Sequence, residues 1–156
     1  MDRKPTDIVK ELLENTAPDK VEAAARRLVE EDLIYVSLNF ENPELKRILP
    51  WTGTSKGQRT LSDTFRRVAQ FWTIENFSIE SLFGAGEDVA VFGEFTYRSK
   101  TLGKAFRSPF AVHAKVRDEK IVFFLFMEDT FASARSFSTG GTWTIRTDLH
   151  AEPYEV

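Results

Sequence analysis

The chain of 156 residues contains no cysteine and two histidines. Without cysteine there is no disulfide, no thiol nucleophile and no Cys-containing zinc site. Two histidines are few for a dedicated transition-metal site. We therefore expect neither a metal nor another cofactor.

Long apolar runs and clustered basic charge are also missing. No apolar run approaches the length that spans a bilayer, and the first residues, MDRKPTDIVKELL, do not resemble a signal peptide. The net charge is −3, and the 21 lysines and arginines are scattered rather than gathered in a stripe. These features predict a cytoplasmic protein that binds neither membranes nor nucleic acids.

Phenylalanine, in contrast, is abundant, with fourteen residues in a chain that is 42% hydrophobic. A chain of this length is most simply one domain that can bury a real core. Phenylalanine rings bury much apolar area each, so their number suits a sheet wrapped around an aromatic interior.

The order of patterns predicts helices first and then strands. Helical spacing and start signals predict helices over 6–14, 19–32 and 58–72, with a strand at 33–40 and a helical turn at 44–48 between the last two. Alternation and glycine-bearing turns predict strands at 74–83, 88–99, 105–117 and 120–129, then a short helix to about 137. Three helices before a meandering antiparallel sheet indicate an α+β domain, with the helices across one face of a curved sheet.

The final hairpin, within 108–130, is predicted to have two different faces. If Asp118-Glu119 is a two-residue turn, period-two alternation places His113, Glu128 and the other ionisable residues of both strands on one face. The interior face is then predicted to be wholly apolar, without an acid or a base. Its residues are Phe110, Val112, Ala114, Val116, Ile121, Phe123, Leu125 and Met127.

This order of elements, with EEDLIYVS, PWTGTSKG and VRDEKIVFFLFMEDT, resembles the NTF2-like superfamily in its SnoaL-like and ketosteroid-isomerase-related branch. The resemblance implies a cone-shaped (cystatin/NTF2-like) sheet with three N-terminal helices on its concave face, a domain over 1–137 and a C-terminal extension over 138–156. The extension contains a possible edge strand at 143–146. At the last turn, where the family often has Asp-Gly, a positive φ at Glu119 would cost about 1 kcal/mol or force another turn type.

The resemblance also implies where catalytic groups would lie. Members of the superfamily include isomerases, polyketide cyclases and dehydratases, and also non-catalytic domains, so the fold does not fix the function. The ketosteroid-isomerase base matches Ser37, the oxyanion-hole positions match Leu13 and Val112, and the last-strand acid of other members matches Leu125. None of these side chains can replace an acid, so the resemblance implies that the known catalytic acids are missing.

The remaining candidates favour binding over catalysis. His113 is predicted to point outward and Asp129 to be the N-cap of the closing helix, so both are weak catalytic candidates. We expect a domain that binds an apolar or aromatic small molecule. The predicted ligand-binding residues are Tyr35, Ser37, Trp51, Phe95, Tyr97, Val112, Leu125 and Met127.

Two alternatives remain open. An isomerase, cyclase or dehydratase acting on a carbonyl-containing ring would need His113 or Asp129 to point inward, and an interaction module would have a cone filled with phenylalanine. The convex face, with Val122, Phe124 and Phe126, is predicted to be too apolar to stay exposed, which favours a homodimer through that face.

Overall fold

A computed structural model describes residues 2–156 and confirms the α+β class. The main strands follow the N-terminal helices, as predicted. The elements are α1 Pro5–Leu13, α2 Val21–Leu28, β1 Val29–Ser37, α3 Pro43–Ile48, β2 Gly53–Lys56, α4 Gln58–Phe71, β3 Trp72–Ala85, β4 Asp88–Ser99, β5 Ala105–Arg117, β6 Lys120–Glu128, α5 Thr130–Arg135, β7 Thr144–Ile145 and β8 Tyr154–Glu155.

Six strands form one sheet in the order β2-β1-β6-β5-β4-β3. Strand β1 runs parallel to β6, and every other neighbouring pair is antiparallel. Helix α1 packs on β3, β4 and β5, while α4 packs on β1, β3 and α2. The hydrophobic core lies between these helices and the sheet. Within residues 2–156, no helix is long and apolar enough to cross a membrane.

The N-terminal elements differ from the prediction at their ends. Helix α1 starts at Pro5 rather than Thr6, because proline suits the first helical position, and it buries four residues at helical spacing. Helix α2 ends at Leu28 rather than near residue 32, because Val29 already pairs with Ile121 as the first residue of β1. The short strand β2 was not predicted. It pairs with the end of β1.

The hairpin between β5 and β6 has the predicted turn but a different register. Asp118 and Glu119 both have positive φ, 50° and 59°, as a type I′ turn requires. Val116 pairs with Ile121 and Lys115 with Phe123, so Val122 is an extra residue in β6. Such a bulge reverses the side-chain alternation of everything beyond it.

The predicted facing of β6 is therefore wrong from Phe123 onward. Phe124 and Phe126 are 0% and 7% exposed in the core, whereas Met127 is 43% exposed on the outer face. In β5, where no bulge intervenes, the predicted inward residues are buried as expected. They are Phe110, Val112, Ala114 and Val116.

The C-terminal segment forms a small hairpin of its own. The strand predicted at 143–146 is present as β7, but it pairs with β8 and not with an edge of the main sheet. The ring of Trp143 meets the edge of Phe131 of α5, with 5.4 Å between the ring centroids.

Candidate functional site

A small interior pocket lies on the concave face of the sheet, below α4 and the loop that precedes β2. Its volume is about 30 Å³, which is room for a water molecule or two. We call it the interior pocket. It is lined by Tyr35, Ser37, Leu38, Leu49, Trp51, Thr64, Phe65, Val68, Trp72, Tyr97, Phe126 and Glu128.

Glu128 gives the interior pocket an acid that the sequence analysis did not predict there. It is the last residue of β6, and the bulge at Val122 turns it to the same face as Phe124 and Phe126. Burial raises the pKa of its carboxyl to about 7. A hydrogen bond with Ser133 lowers this pKa, and the charge of Asp129 raises it further. The prediction of an interior without an acid is therefore wrong.

Two buried tyrosines share the pocket with this carboxyl. Tyr35 on β1 is 2% exposed and Tyr97 on β4 is 6% exposed. Burial raises the pKa of Tyr35 to about 12, even though hydrogen bonds with Ser37 and Thr64 lower it. Burial, together with the charge of Glu128, raises the pKa of Tyr97 well above its ordinary value. Both phenols therefore stay protonated at neutral pH and can donate a hydrogen bond.

Tryptophan side chains form the outer wall of the pocket. Trp51, in the loop between α3 and β2, is half-buried and stacks on Phe71 with the ring centroids 5.7 Å apart. It meets Trp72 edge-on at 5.5 Å. The indole Nε1 of Trp72 donates a hydrogen bond to Ser136 Oγ at 2.9 Å, which fixes this second ring against α5. Trp51 has no such bond among residues 2–156 and is positioned by its contacts with these two rings.

The structure brings four of the eight predicted ligand-binding residues to the pocket. Tyr35, Ser37, Trp51 and Tyr97 line it. Phe95 and Val112 are buried in the core but do not line it. Leu125 and Met127 lie on the opposite face of β6, because the bulge reversed their direction.

The two weak catalytic candidates lie outside the pocket. His113 pairs with Leu125, and its Nε2 is 2.8 Å from Asp88 Oδ1 on the outer face of the sheet. The carboxylate of Asp129 accepts a hydrogen bond from the Ala132 backbone N–H at 3.0 Å, which makes it the N-cap of α5. Neither reaches the interior.

Sequence reasoning missed Glu128 and Thr64 as pocket residues. An acid at the end of an apolar strand was the available signal for Glu128, but strict alternation assigned it to the other face. Thr64 lies on α4, where the apolar pattern marks the core-facing residues but gives no signal for a polar residue on the same side. Within residues 2–156, no group of three or more histidines and carboxylates is placed to hold a metal ion.

No protein-family model matches the chain. Two fungal proteins are similar to it over 141 residues. Patulin synthesis protein F of Aspergillus clavatus is 42% identical, over 88% of this chain and 71% of that protein. Patulin biosynthesis cluster protein F of Penicillium expansum is 40% identical, over 88% of this chain and 70% of that protein.

Solved structures share the fold at low sequence identity. An NTF2-like protein of Burkholderia thailandensis superposes with a TM-score of 0.73 and 22% identity, over 88% of this chain and 99% of that one. A protein of Jannaschia described as a SnoaL-like polyketide cyclase superposes with a TM-score of 0.68 and 13% identity, over 90% of this chain and 99% of that one. TerC, co-crystallised with polyporic acid, superposes with a TM-score of 0.68 and 17% identity, over 85% of this chain and 97% of that one. The predicted resemblance is confirmed at the level of the fold.

Proposed function

Because this chain belongs to the family of the patulin synthesis F proteins and has the NTF2-like fold, we propose that it is an enzyme that transfers a proton on a small cyclic substrate. The observation that carries the proposal is the desolvated carboxyl of Glu128 inside the cone, in a pocket with two protonated phenols.

The pKa of Glu128, about 7, suits an acid–base group. In its ionised form the carboxylate takes a proton from a carbon beside a carbonyl of the substrate, and the electron pair of the C–H bond moves toward the carbonyl oxygen. A hydrogen bond from Tyr35 or Tyr97 stabilises the resulting oxyanion. Return of the proton to a different carbon completes an isomerisation. Loss of a neighbouring hydroxyl group, protonated by the Glu128 acid, completes a dehydration instead.

A small-molecule substrate is supported by the names of similar proteins. Two relatives are named for patulin synthesis, and one protein of the same fold was co-crystallised with polyporic acid. The interior pocket, at about 30 Å³, is too small for a ring. Substrate binding therefore requires the half-buried Trp51 side of the pocket to open.

Deuterium incorporation tests the proposal without knowledge of the natural substrate. The protein is incubated in D₂O with a panel of cyclic ketones and enones, and exchange at carbons beside the carbonyl is followed by mass spectrometry. We expect wild type to accelerate exchange of at least one compound and Glu128→Gln to slow it by roughly 100-fold or more. Glu94→Gln, which removes a carboxylate paired with Arg107 outside the pocket, is the matched control. Equal exchange by wild type and Glu128→Gln would reject Glu128 as the catalytic acid–base group.

A non-catalytic binding domain is the second candidate, and the aromatic wall of Trp51 and Trp72 favours it. It predicts that ring compounds bind in the pocket, as detected by NMR, and that no compound in the panel exchanges. An interaction module, favoured by the small free volume, predicts neither binding nor exchange.

We also expect two copies to pair through the convex face of the sheet. Phe92, Ala111 and Met127 are neighbours across β4, β5 and β6 on that face, and Phe92 and Met127 are 47% and 43% exposed. Phe92→Glu is expected to convert a dimer to a monomer in light scattering after size exclusion. Phe40→Glu, at a residue that is 75% exposed in a loop, is the control that keeps the mass of the wild type. A monomeric wild type would reject this interface.

A further inference from the structure

A polar cleft on the surface lies directly outside the interior pocket. It has a volume of about 500 Å³ and lies between the segment 46–55 and helix α4. Trp51 and Thr64 line both this cleft and the interior pocket, so they form the wall between the two spaces. We call this space the outer cleft.

The outer cleft carries an excess of positive charge. Three cations line it, Lys46, Arg66 and Arg67, against one carboxylate, Asp63. Arg66 is already engaged, because it forms ion pairs with Asp63 and with Glu22 on α2. In residues 2–156, neither Lys46 nor Arg67 forms an ion pair with a carboxylate. Two cations without a carboxylate partner thus line one cleft in a chain whose net charge is −3.

The hydroxyl side chains of the cleft favour a ligand that carries hydroxyl groups. Each of its five hydroxyl side chains donates its proton to a nearby protein oxygen, at 2.7 to 2.9 Å. Their remaining lone pairs can accept a hydrogen bond, so they suit hydroxyl groups on a ligand. These residues are Thr52, Thr54, Ser55, Thr60 and Thr64.

From this arrangement we infer that the outer cleft binds a carboxylate of a hydroxylated cyclic substrate, held by Lys46 and Arg67, while the ring enters past Trp51. The inference rests on the proposed function for the inner half of the site. It also accounts for the space a ring needs, because opening the wall at Trp51 joins the outer cleft to the interior pocket.

Two probes that differ in charge test the inference, 4-hydroxybenzoate and its neutral amide, 4-hydroxybenzamide. Their affinities are measured by NMR titration of the full chain, with backbone shifts locating the contact. At low salt we expect the acid to bind about tenfold more tightly than the amide, the effect of two partly screened charge pairs. High salt should weaken the binding of the acid and leave the affinity of the amide unchanged.

Variants that remove charge test whether Lys46 and Arg67 cause the tighter binding of the acid. Lys46→Gln with Arg67→Gln is expected to reduce the affinity for the acid to that for the amide. The matched control is Lys4→Gln with Lys20→Gln, at two exposed lysines outside the cleft, and it should keep the preference. Circular dichroism confirms that each variant folds. Equal binding of acid and amide by wild type, or an equal loss in the control pair, would overturn the inference.

Glu128→Gln separates this inference from the proposed function. The variant should still prefer the acid, because Glu128 does not line the outer cleft. If Glu128→Gln stops deuterium exchange while wild type binds both probes equally, the catalytic proposal stands and the carboxylate site is rejected. If the acid is preferred but exchange does not depend on Glu128, the carboxylate site stands and the catalytic proposal is rejected.

Discussion

Replacing Glu128 by glutamine should change how the stability of the protein depends on pH. Burial raises the pKa of this carboxyl from 4.5 to about 7 in the folded state. The folded protein therefore holds the proton more tightly than the unfolded chain does. Between these two pKa values the folded state is protonated and the unfolded state is not, so the free energy of unfolding falls as the pH rises. Glutamine has a similar shape and no proton to lose, so it removes this dependence.

The size of the effect follows from the difference between the two pKa values. A change from 4.5 to about 7 corresponds to about 3 kcal/mol of folding stability lost when the pH rises through this range. The loss is complete above the folded-state pKa. The difference in stability between Glu128→Gln and wild type should therefore grow by about 3 kcal/mol from pH 4.5 to 8, in favour of the variant.

Urea unfolding of both proteins at a series of pH values measures this difference, and all other titrating groups cancel in it. Glu94→Gln is the control, because the pKa of Glu94 is shifted in the opposite direction to that of Glu128. A hydrogen bond from Arg107 lowers the pKa of Glu94, so its contribution to stability is present at neutral pH and is lost only as the pH falls below the ordinary range of a glutamate. Its difference curve should be flat from pH 5 to 8. A flat curve for Glu128→Gln over the same range would refute the assignment of a desolvated acid.

Three further predictions concern the fold. Phe124→Ala should cost about 3–5 kcal/mol in urea unfolding and Phe123→Ala roughly 1, whereas the facing predicted without a bulge would reverse this order. Gly93→Ala should cost about 3 kcal/mol, because its Cβ would lie 2.1 Å from a backbone oxygen of β3, and Gly140→Ala, with nothing within 4 Å, should change little in the same assay. Asp129→Ala should cost about 1 kcal/mol by thermal unfolding and Asp129→Asn much less, since asparagine also caps a helix; equal losses would contradict the cap.

Local pattern was sufficient for the regular parts of the fold. The strands predicted at 88–99 and 105–117 have these bounds in the structure, and the alternation of β5 gives its buried face correctly. The helix predicted over 58–72 ends one residue earlier, at Phe71. In these segments polar and apolar residues alternate or repeat clearly, so the sequence itself marks the inner face.

The candidate site could not be predicted because one inserted residue, Val122, decides which side chains of β6 face the pocket. The run from Phe123 to Phe126 is apolar on both faces and gives no sign of its direction. Ile121 and Phe124, three positions apart, are both fully buried, which strict alternation does not allow. Val122, the extra residue at the hairpin end of β6, shifts the alternation by one position, so that Ile121 and Phe124 lie on the same face. This choice depends on packing against β1 and the helices, which no local pattern records.

The same bulge explains why the acid and the tyrosines meet. With Val122 inserted, Glu128 lies on the face that carries Phe124 and Phe126, and the strand ends there because Asp129 caps the next helix. The carboxyl is thus held at the rim of the core, desolvated enough to reach a pKa of about 7. A glutamine or a leucine at this position would avoid a loss of about 3 kcal/mol at neutral pH. A buried carboxyl that costs stability, in a pocket with two phenol donors, supports the proposed acid–base role, because packing alone would favour an uncharged side chain at this position.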